Sequence, residues 1–87
     1  MTFEFDPDKS ASNKIKHGLD FFEVQELWNS ERVEISVKTI SEEPRFAVIG
    51  IINDRFYTVI VTYRGSSIRL ISARPSRTNE KKLYENS

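Results

Sequence analysis

The residue types best suited to binding a phosphate are arginines in the last third of the chain. Arg64 ends the run "RFYTVIVTYR", and Arg69 and Arg74 lie in the next run, "SIRLISAR". A guanidinium group is always charged and binds two phosphate oxygens at once. We expect Arg64 and Arg74 to converge on one site, because each stands at the end of a strand beside a loop. The alternative is an ion pair with a carboxylate at the sheet edge.

Side-chain alternation decides whether the arginines of the second run can act together. Residues five positions apart in a regular strand point to opposite faces, so Arg69 and Arg74 separate unless a β-bulge intervenes. Arg69 shares its face with Ile71, an unusual neighbour for a solvent-facing position. A bulge is therefore the feature that would let the two arginines share a surface.

The only histidine, His17, stands in "KIKHG" with Lys16 before it and Gly18 after it. Imidazole transfers protons near neutral pH, and a neighbouring lysine can stabilise a developing negative charge. The alternative is structural, because a basic residue in the last turn complements the negative helix end and glycine ends the helix. His17 is thus a candidate for proton transfer and a candidate helix terminator.

A second basic group lies after Pro75. Arg77 and Lys81 are i, i+4 neighbours on one face of a predicted helix, and Tyr84 falls on the same side. Such a face can contact a nucleic-acid backbone while the tyrosine ring stacks on a base. The alternatives are a solvated helix face and a tyrosine that packs with its hydroxyl in water.

Two adjacent carboxylates, Glu42 and Glu43, lie in the turn "TISEEPRF". Paired carboxylates can divide the roles of acid and base where their surroundings push the two pKa values apart. In an exposed turn, however, we expect both to be solvated.

These candidates are positioned by elements in the predicted order βαα-ββββ-α. The segment "DPDKSASNKIKHG" has Asp6 at the N-cap, Pro7 at the first helical position and Gly18 as the stop. Asp20 and Glu23 have the spacing of a capping box, which predicts a second helix directly afterwards.

Alternating apolar residues predict four strands between residues 32 and 74. "NDR" marks a hairpin turn between two of them, and Ser76 or Thr78 can cap a last helix through "NEKKLYE". The chain is therefore predicted to be a small α+β protein, one domain over residues 1–87, with a mostly antiparallel sheet and helices packed against it.

Composition excludes several kinds of site. The 87 residues include no cysteine and one histidine, which excludes disulfides, thiolate metal sites and multi-histidine metal sites. We expect no metal or other cofactor. No apolar run approaches the roughly 18–20 residues that span a bilayer, and the acidic start is unlike a signal peptide. We therefore expect a cytoplasmic protein with no membrane contact.

The net charge is zero, but the charges are unevenly placed. Residues 1–63 carry seven Lys+Arg and eleven Asp+Glu, whereas residues 64–87 carry six Lys+Arg and two Asp+Glu. A basic end suits a phosphate-bearing partner or an acidic protein surface. The composition thus leaves open an enzyme that acts on nucleic acid and a non-catalytic module that binds a protein or a nucleic acid.

Two blocks of the sequence resemble a known family. "FEFDPDKSASNKIKHGLDFFEV" resembles the opening of the BrnT family of ribonuclease toxins, and "RGSSIRLISARPSRTNEKKLYE" resembles its ending. The order and spacing of both blocks agree with the family pattern. The chain departs from that pattern at Phe5, where a tryptophan is usual, and in "KTISEEPR", where the family often has a histidine.

The resemblance implies a RelE-like fold and an endoribonuclease that blocks translation and growth without a metal ion. RNA would be cleaved by attack of its 2′-OH on the adjacent phosphorus. The implied partner is a BrnA-like antitoxin with a ribbon-helix-helix-type DNA-binding part. That antitoxin would neutralise the toxin and make all contacts of the complex with operator DNA.

The polar residues that match the family pattern by position are Lys16, His17, Arg64, Arg69, Arg74, Glu80 and Tyr84. We expect Arg64 and Arg74 to hold the phosphate, Lys16 to support its charge, and His17 or Glu80 to transfer a proton. The expected RNA-binding residues are Arg69, Arg77, Lys81 and Tyr84.

Overall fold

The computed structural model of the chain describes residues 2–38, 40 and 43–87. These residues form five strands and three helices, which confirms the predicted α+β class. The strands are β1 (Thr2–Glu4), β2 (Arg32–Val37), β3 (Arg45–Ile52), β4 (Arg55–Arg64) and β5 (Ser67–Pro75). The helices are α1 (Pro7–His17), a 3-10 helix (Glu23–Asn29) and α2 (Thr78–Glu85). No helix in this part of the chain is long and apolar enough to cross a membrane.

The five strands form one sheet in the order β1-β5-β4-β3-β2. Strands β2 to β5 follow one another antiparallel, as predicted, while β1 pairs with β5 in parallel. The predicted turn between β3 and β4 is a two-residue loop in which Asn53 and Asp54 have φ angles of 51° and 66°. Positive φ at both loop residues matches the twist of the flanking strands. β5, which carries two candidate arginines, therefore lies between β4 and β1.

The prediction of a second α-helix is wrong, because this segment forms a 3-10 helix. Its predicted capping box is present: Asp20 Oδ1 accepts the Glu23 N–H at 2.7 Å, and Glu23 Oε1 accepts the Asp20 N–H at 3.0 Å. Val24 and Leu27, three residues apart, are fully buried. Three residues make one 3-10 turn, so this winding directs both side chains at the sheet. Gly50 permits the close approach, because a Cβ there would lie 2.6 Å from Leu27 Cδ1.

The hydrophobic core lies between one face of the sheet and the segment that follows α1. That segment and the sheet contribute buried side chains that include Leu19, Phe21, Val24, Leu27, Val48, Val59, Val61, Leu70 and Ala73. Phe5 packs edge-on against Phe21, with ring centroids 5.7 Å apart, so it fills an apolar role near the core. The opposite face of the sheet, which we call the open face, carries the candidate arginines of β4 and β5.

Helix α1 has the predicted ends. Asp6 accepts the Asp8 N–H at 2.9 Å, and Pro7 is the first helical residue. Gly18, at a φ of 79°, donates its N–H to Lys14 O at 2.9 Å and ends the helix. The ends of α1 are therefore determined by local sequence.

Buried Asn13 joins α1 to the edge of β5. Its Nδ2 donates to Leu19 O at 2.8 Å, and its Oδ1 accepts the Ala73 N–H at 3.2 Å. Strand β1 pairs with β5 only as far as Arg69. Beyond that point the Asn13 side chain binds the same edge of β5, at Ala73. The Asn13 amide thus positions α1 beside the sheet.

We expect Asn13→Ala to lower the free energy of unfolding by about 1–3 kcal/mol, because two buried backbone groups lose their partner. Urea denaturation measures the loss. Ser12→Ala, an exposed neighbour on the same helix, is the matched control and is expected to change stability by less than about 0.5 kcal/mol. Equal stability of the two variants would show that the amide does not hold α1 in place.

Candidate functional site

A β-bulge in β5 decides which side chains share the open face. Ile71 is skipped in the pairing of β5 with β4, which makes it an extra residue on β5. The extra residue shifts the side-chain alternation by one position. Arg69 pairs with Thr62 and Arg74 with Thr58, two positions on the same face of β4. Arg69 and Arg74 therefore both lie on the open face, although a regular strand would separate them.

Arg64 and Arg69 line a small cavity of about 90 Å³ at one end of the open face. We call this cavity the arginine pocket. Its other lining residues come from α1, from the segment before β3 and from the sheet: Lys9, Glu43, Arg45, Thr62 and Ile71. Four cationic side chains around one small cavity favour an anionic ligand.

Two carboxylates interact with these cations. Glu43 accepts from Arg64 at both oxygens, at 2.8 and 3.0 Å. Glu4 Oε1 lies 3.5 Å from Arg64 Nη1 and 3.8 Å from Arg69 Nη1. This Glu4 oxygen is buried and accepts no hydrogen bond from the residues that the structure describes. The arginines thus already bind carboxylates, whose oxygens a phosphate can imitate.

The pair of Arg64 and Glu43 lies at the surface, where about half of each side chain is exposed. Hydrogen bonds from Arg64 lower the pKa of Glu43 and in turn raise the pKa of Arg64. Both groups are therefore charged at neutral pH. Exposed ion pairs contribute little to stability, so a phosphate can replace the Glu43 carboxylate at small cost.

A second cavity, of about 160 Å³, adjoins the arginine pocket and is called the α1 pocket. The two cavities share Lys9 and Ile71. One side of the α1 pocket is a stripe of Lys9, Ser12 and Lys16, spaced i, i+3 and i+7 on the helix. The remaining lining residues are Asn13, Phe21, Ile71 and Ser72. Together the two cavities form the basic groove, whose cations are Lys9, Lys16, Arg45, Arg64 and Arg69.

Arg74 and Glu80 form a separate cluster beneath α2. Glu80 accepts from Arg74 at both oxygens, at 2.7 and 2.8 Å. It also accepts the Arg77 N–H at 2.7 Å and the Thr58 hydroxyl at 3.0 Å. Hydrogen bonds from Arg74 in the first place, and from Arg77 and Thr58, lower the pKa of Glu80 to about 2. Four hydrogen bonds and a low pKa favour Glu80 as an anchor for α2 rather than as a proton carrier.

Arg64 and Arg74 do not converge on one phosphate, contrary to the expectation from their strand ends. Arg64 pairs with Ser67 and Arg74 with Thr58, at opposite ends of the antiparallel pair β4 and β5. From Thr58 to Arg64 is six residues, or about 20 Å at roughly 3.3 Å per residue. An antiparallel partner begins where the preceding strand ends, so successive strand ends lie far apart.

The other candidates on α2 lie outside the basic groove. Tyr84 packs edge-on against Phe56, with ring centroids 5.4 Å apart, and Lys81 Nζ lies 6.0 Å from the centroid of the same ring. Arg77 is the N-cap residue of α2, so the predicted caps, one residue to either side, are wrong. The Tyr84 ring therefore packs against the sheet, at Phe56. Arg77 and Lys81 are exposed cations away from the groove.

The structure separates Lys16 from His17. Lys16 lines the α1 pocket, whereas His17 is exposed at the end of α1 and lines neither cavity of the groove. Gly18 ends the helix in the left-handed conformation, as predicted. Lys16 is thus the member of this pair that the fold brings to the arginines.

Two groove cations, Lys9 and Arg45, were absent from the predicted site. Lys9 could have been predicted from the sequence, because it lies seven residues before Lys16 and therefore on the same face of α1. Arg45 has no local signal, because its place beside Thr62 depends on the pairing of β3 with β4, which sets Phe46 opposite Val61. Glu43 was expected to be solvated but lines the arginine pocket, and Glu42 lies outside the described residues.

Within the described ranges, no three His, Cys, Asp or Glu residues are grouped to hold a metal ion.

The fold and the groove define a small α+β protein with a cluster of cationic side chains on the open face of its sheet. The chain belongs to the BrnT family, the ribonuclease toxins of type II toxin-antitoxin systems, whose sequence model matches residues 5–80. This confirms the predicted resemblance. The matched range begins just before α1 and ends at Glu80, so it includes all five groove cations. A search of curated proteins gives no significant match.

Proposed function

We propose that this protein is a RelE-like endoribonuclease toxin that cleaves RNA in the bacterial cytoplasm without a metal ion and thereby blocks translation. The observation that carries the proposal is the meeting of Lys9, Arg45, Arg64 and Arg69 around one cavity. RNA is a polyanion, and cations fixed by a fold bind its phosphates. Membership of a family of ribonuclease toxins makes a bond in that backbone the target.

The scissile phosphate binds in the arginine pocket, between Arg64 and Arg69. The 2′-oxygen forms a bond to phosphorus while the bond to the 5′-oxygen breaks, which leaves a 2′,3′-cyclic phosphate and a 5′-hydroxyl. Negative charge grows on the phosphorane oxygens during this step. Fixed donors aimed at such oxygens are usually the largest single contribution to catalysis. Lys16 adds positive charge from the α1 pocket.

Glu43 accepts the proton of the attacking 2′-OH. The incoming phosphate displaces Glu43 from Arg64, which leaves the carboxylate beside the reacting group. Arg64 keeps the pKa of Glu43 low before substrate binds. Release from Arg64 raises that pKa and makes the carboxylate a better base. The leaving 5′-oxygen takes its proton from water, because His17 lines neither cavity of the groove.

The mechanism is tested by incubating the purified protein with a free RNA oligonucleotide in EDTA and, separately, with translating ribosomes in a buffer that contains Mg²⁺. We expect products that end in a 2′,3′-cyclic phosphate, and no cleavage where a single 2′-deoxynucleotide replaces the attacking residue. Cleavage at the deoxy position contradicts attack by the 2′-OH. Cleavage of the free oligonucleotide that appears only when Mg²⁺ is restored contradicts metal independence. No cleavage in either setting favours a non-catalytic binding module.

The proton-transfer roles are tested by the pH dependence of kcat. Glu43→Gln is expected to lower kcat and to remove the acid limb of the profile, because no carboxylate remains to be ionised. His17→Ala is expected to keep the wild-type kcat, because His17 lies outside both cavities of the groove. A large loss of kcat in His17→Ala would instead assign the proton donor to the end of α1.

The partner that we propose is a BrnA-like antitoxin with a ribbon-helix-helix-type DNA-binding part. A type II system neutralises its toxin with a protein, and family membership supports such a partner here. Coexpression of the antitoxin should restore growth, and a gel-shift assay should show operator binding by the complex but not by the toxin alone. Operator binding by the isolated toxin would contradict this division of roles.

A further inference from the structure

We propose that the α1 pocket is a nucleobase subsite that holds the base next to the phosphate in the arginine pocket. This inference rests on the proposed action on RNA, and it concerns a cavity whose residues the cleavage mechanism does not use, apart from Lys9 and Lys16. The cavity would read the identity or the shape of one base. It therefore gives a site for sequence preference in cleavage.

The two cavities meet at one apolar and one basic side chain, Ile71 and Lys9. Ile71 is the bulged residue of β5, so its side chain lies on the open face and contributes to both cavities. Phe21 also lines the α1 pocket, but it is only 1% exposed, so Ile71 supplies most of the apolar contact surface. Apolar side chains flanked by cations match a nucleotide, whose base has apolar faces and whose phosphates are charged.

Polar groups around the α1 pocket can meet the edge of a base. Ser12 and Ser72 present hydroxyls, which donate or accept. Asn13 also lines the cavity, and its amide uses one N–H for Leu19 O and one acceptor lone pair for the Ala73 N–H. A primary amide has a second N–H and a second lone pair, the pair of groups that recognises a base edge.

Continuity with the arginine pocket points to RNA as the occupant. Lys9 and Ile71 belong to both cavities, so a ligand in one touches residues of the other. Lys9 and Lys16 lie seven residues apart on α1, about 10 Å at 1.5 Å per residue. A strand whose phosphate is held by Arg64 and Arg69 can thus place its neighbouring base against Ile71 and its next phosphate near Lys16.

The test compares nucleoside 5′-monophosphates with ribose 5-phosphate by isothermal titration. We expect at least one of the four nucleotides to bind about tenfold or more tightly than the sugar phosphate, because the base buries apolar surface in the cavity. Ser12→Trp places a large side chain in the cavity from an exposed helix position, without altering the core. This variant should bind nucleotides and ribose 5-phosphate with equal affinity.

Ala11→Trp is the matched control, since Ala11 is the exposed neighbour of Ser12 and does not line the cavity. It should keep the advantage of the nucleotides. The inference is overturned if ribose 5-phosphate binds as tightly as every nucleotide, or if Ser12→Trp keeps the wild-type difference. Binding requires no cleavage, so a protein that favours nucleotides but cuts no RNA would support the subsite and contradict the proposed enzyme.

Discussion

Arg69→Ala is expected to lower kcat/KM for RNA cleavage by about 10²- to 10³-fold, because the phosphorane loses one of its fixed donors. Arg69 is half-buried, and its one ion pair among the described residues is a long one, 3.8 Å to the Glu4 carboxylate, so the fold should survive its loss. Arg69→Lys should recover part of the activity, since an ammonium keeps the charge but not the paired N–H groups. Initial rates on an RNA oligonucleotide measure the effect.

Arg55→Ala is the matched control for Arg69→Ala. Arg55 is an exposed cation at the start of β4, at the hairpin with β3 and outside the groove, and its loss changes the net charge equally. We expect activity within about threefold of the wild type, since a distant exposed charge is screened by salt. Activity that survives Arg69→Ala but falls in a folded Arg74→Ala variant would move the site to the α2 end of the open face.

The parts of the fold that were predicted correctly have local causes. Asp6, Pro7 and Gly18 determine the ends of α1 through groups within four residues of each other. The type of the second helix depends instead on packing, because Val24 and Leu27 at a spacing of three suit both an α-helix and a 3-10 helix. The approach of that helix to Gly50 is a contact across the fold, which no local pattern reports.

The candidate site was predicted only in part, because its geometry depends on strand register. Arg64, Arg69 and Lys16 were recognised from residue type and family resemblance. One bulged residue, Ile71, turns Arg69 and Arg74 to the same face, and nothing in "SIRLISAR" marks the bulge. Antiparallel pairing then separates Arg64 from Arg74. Residue type therefore predicted the chemistry, while register determined which residues meet.

Glu80→Ala is expected to lower the free energy of unfolding by about 3–5 kcal/mol, because it leaves the Arg74 guanidinium without its carboxylate. The Arg77 N–H and the Thr58 hydroxyl also lose an acceptor. A loss of this size is a large part of the roughly 5–15 kcal/mol that stabilises a small domain. Urea denaturation at pH 7 measures it. Glu85→Ala, an exposed acid on the same helix, should cost less than about 0.5 kcal/mol.

The pH dependence of stability tests the same anchor by a second route. The pKa of Glu80 is about 2 in the folded protein and 4.5 for an unperturbed glutamate. A lowered pKa stabilises the fold above pH 4.5, and that stabilisation disappears as the pH falls from 4.5 to about 2. The wild type should therefore lose about 3 kcal/mol over this interval through Glu80 alone. Glu80→Gln should be less stable at pH 7 and should lose less on acidification. An acid-induced loss as large in Glu80→Gln as in the wild type would show that other carboxylates carry the effect.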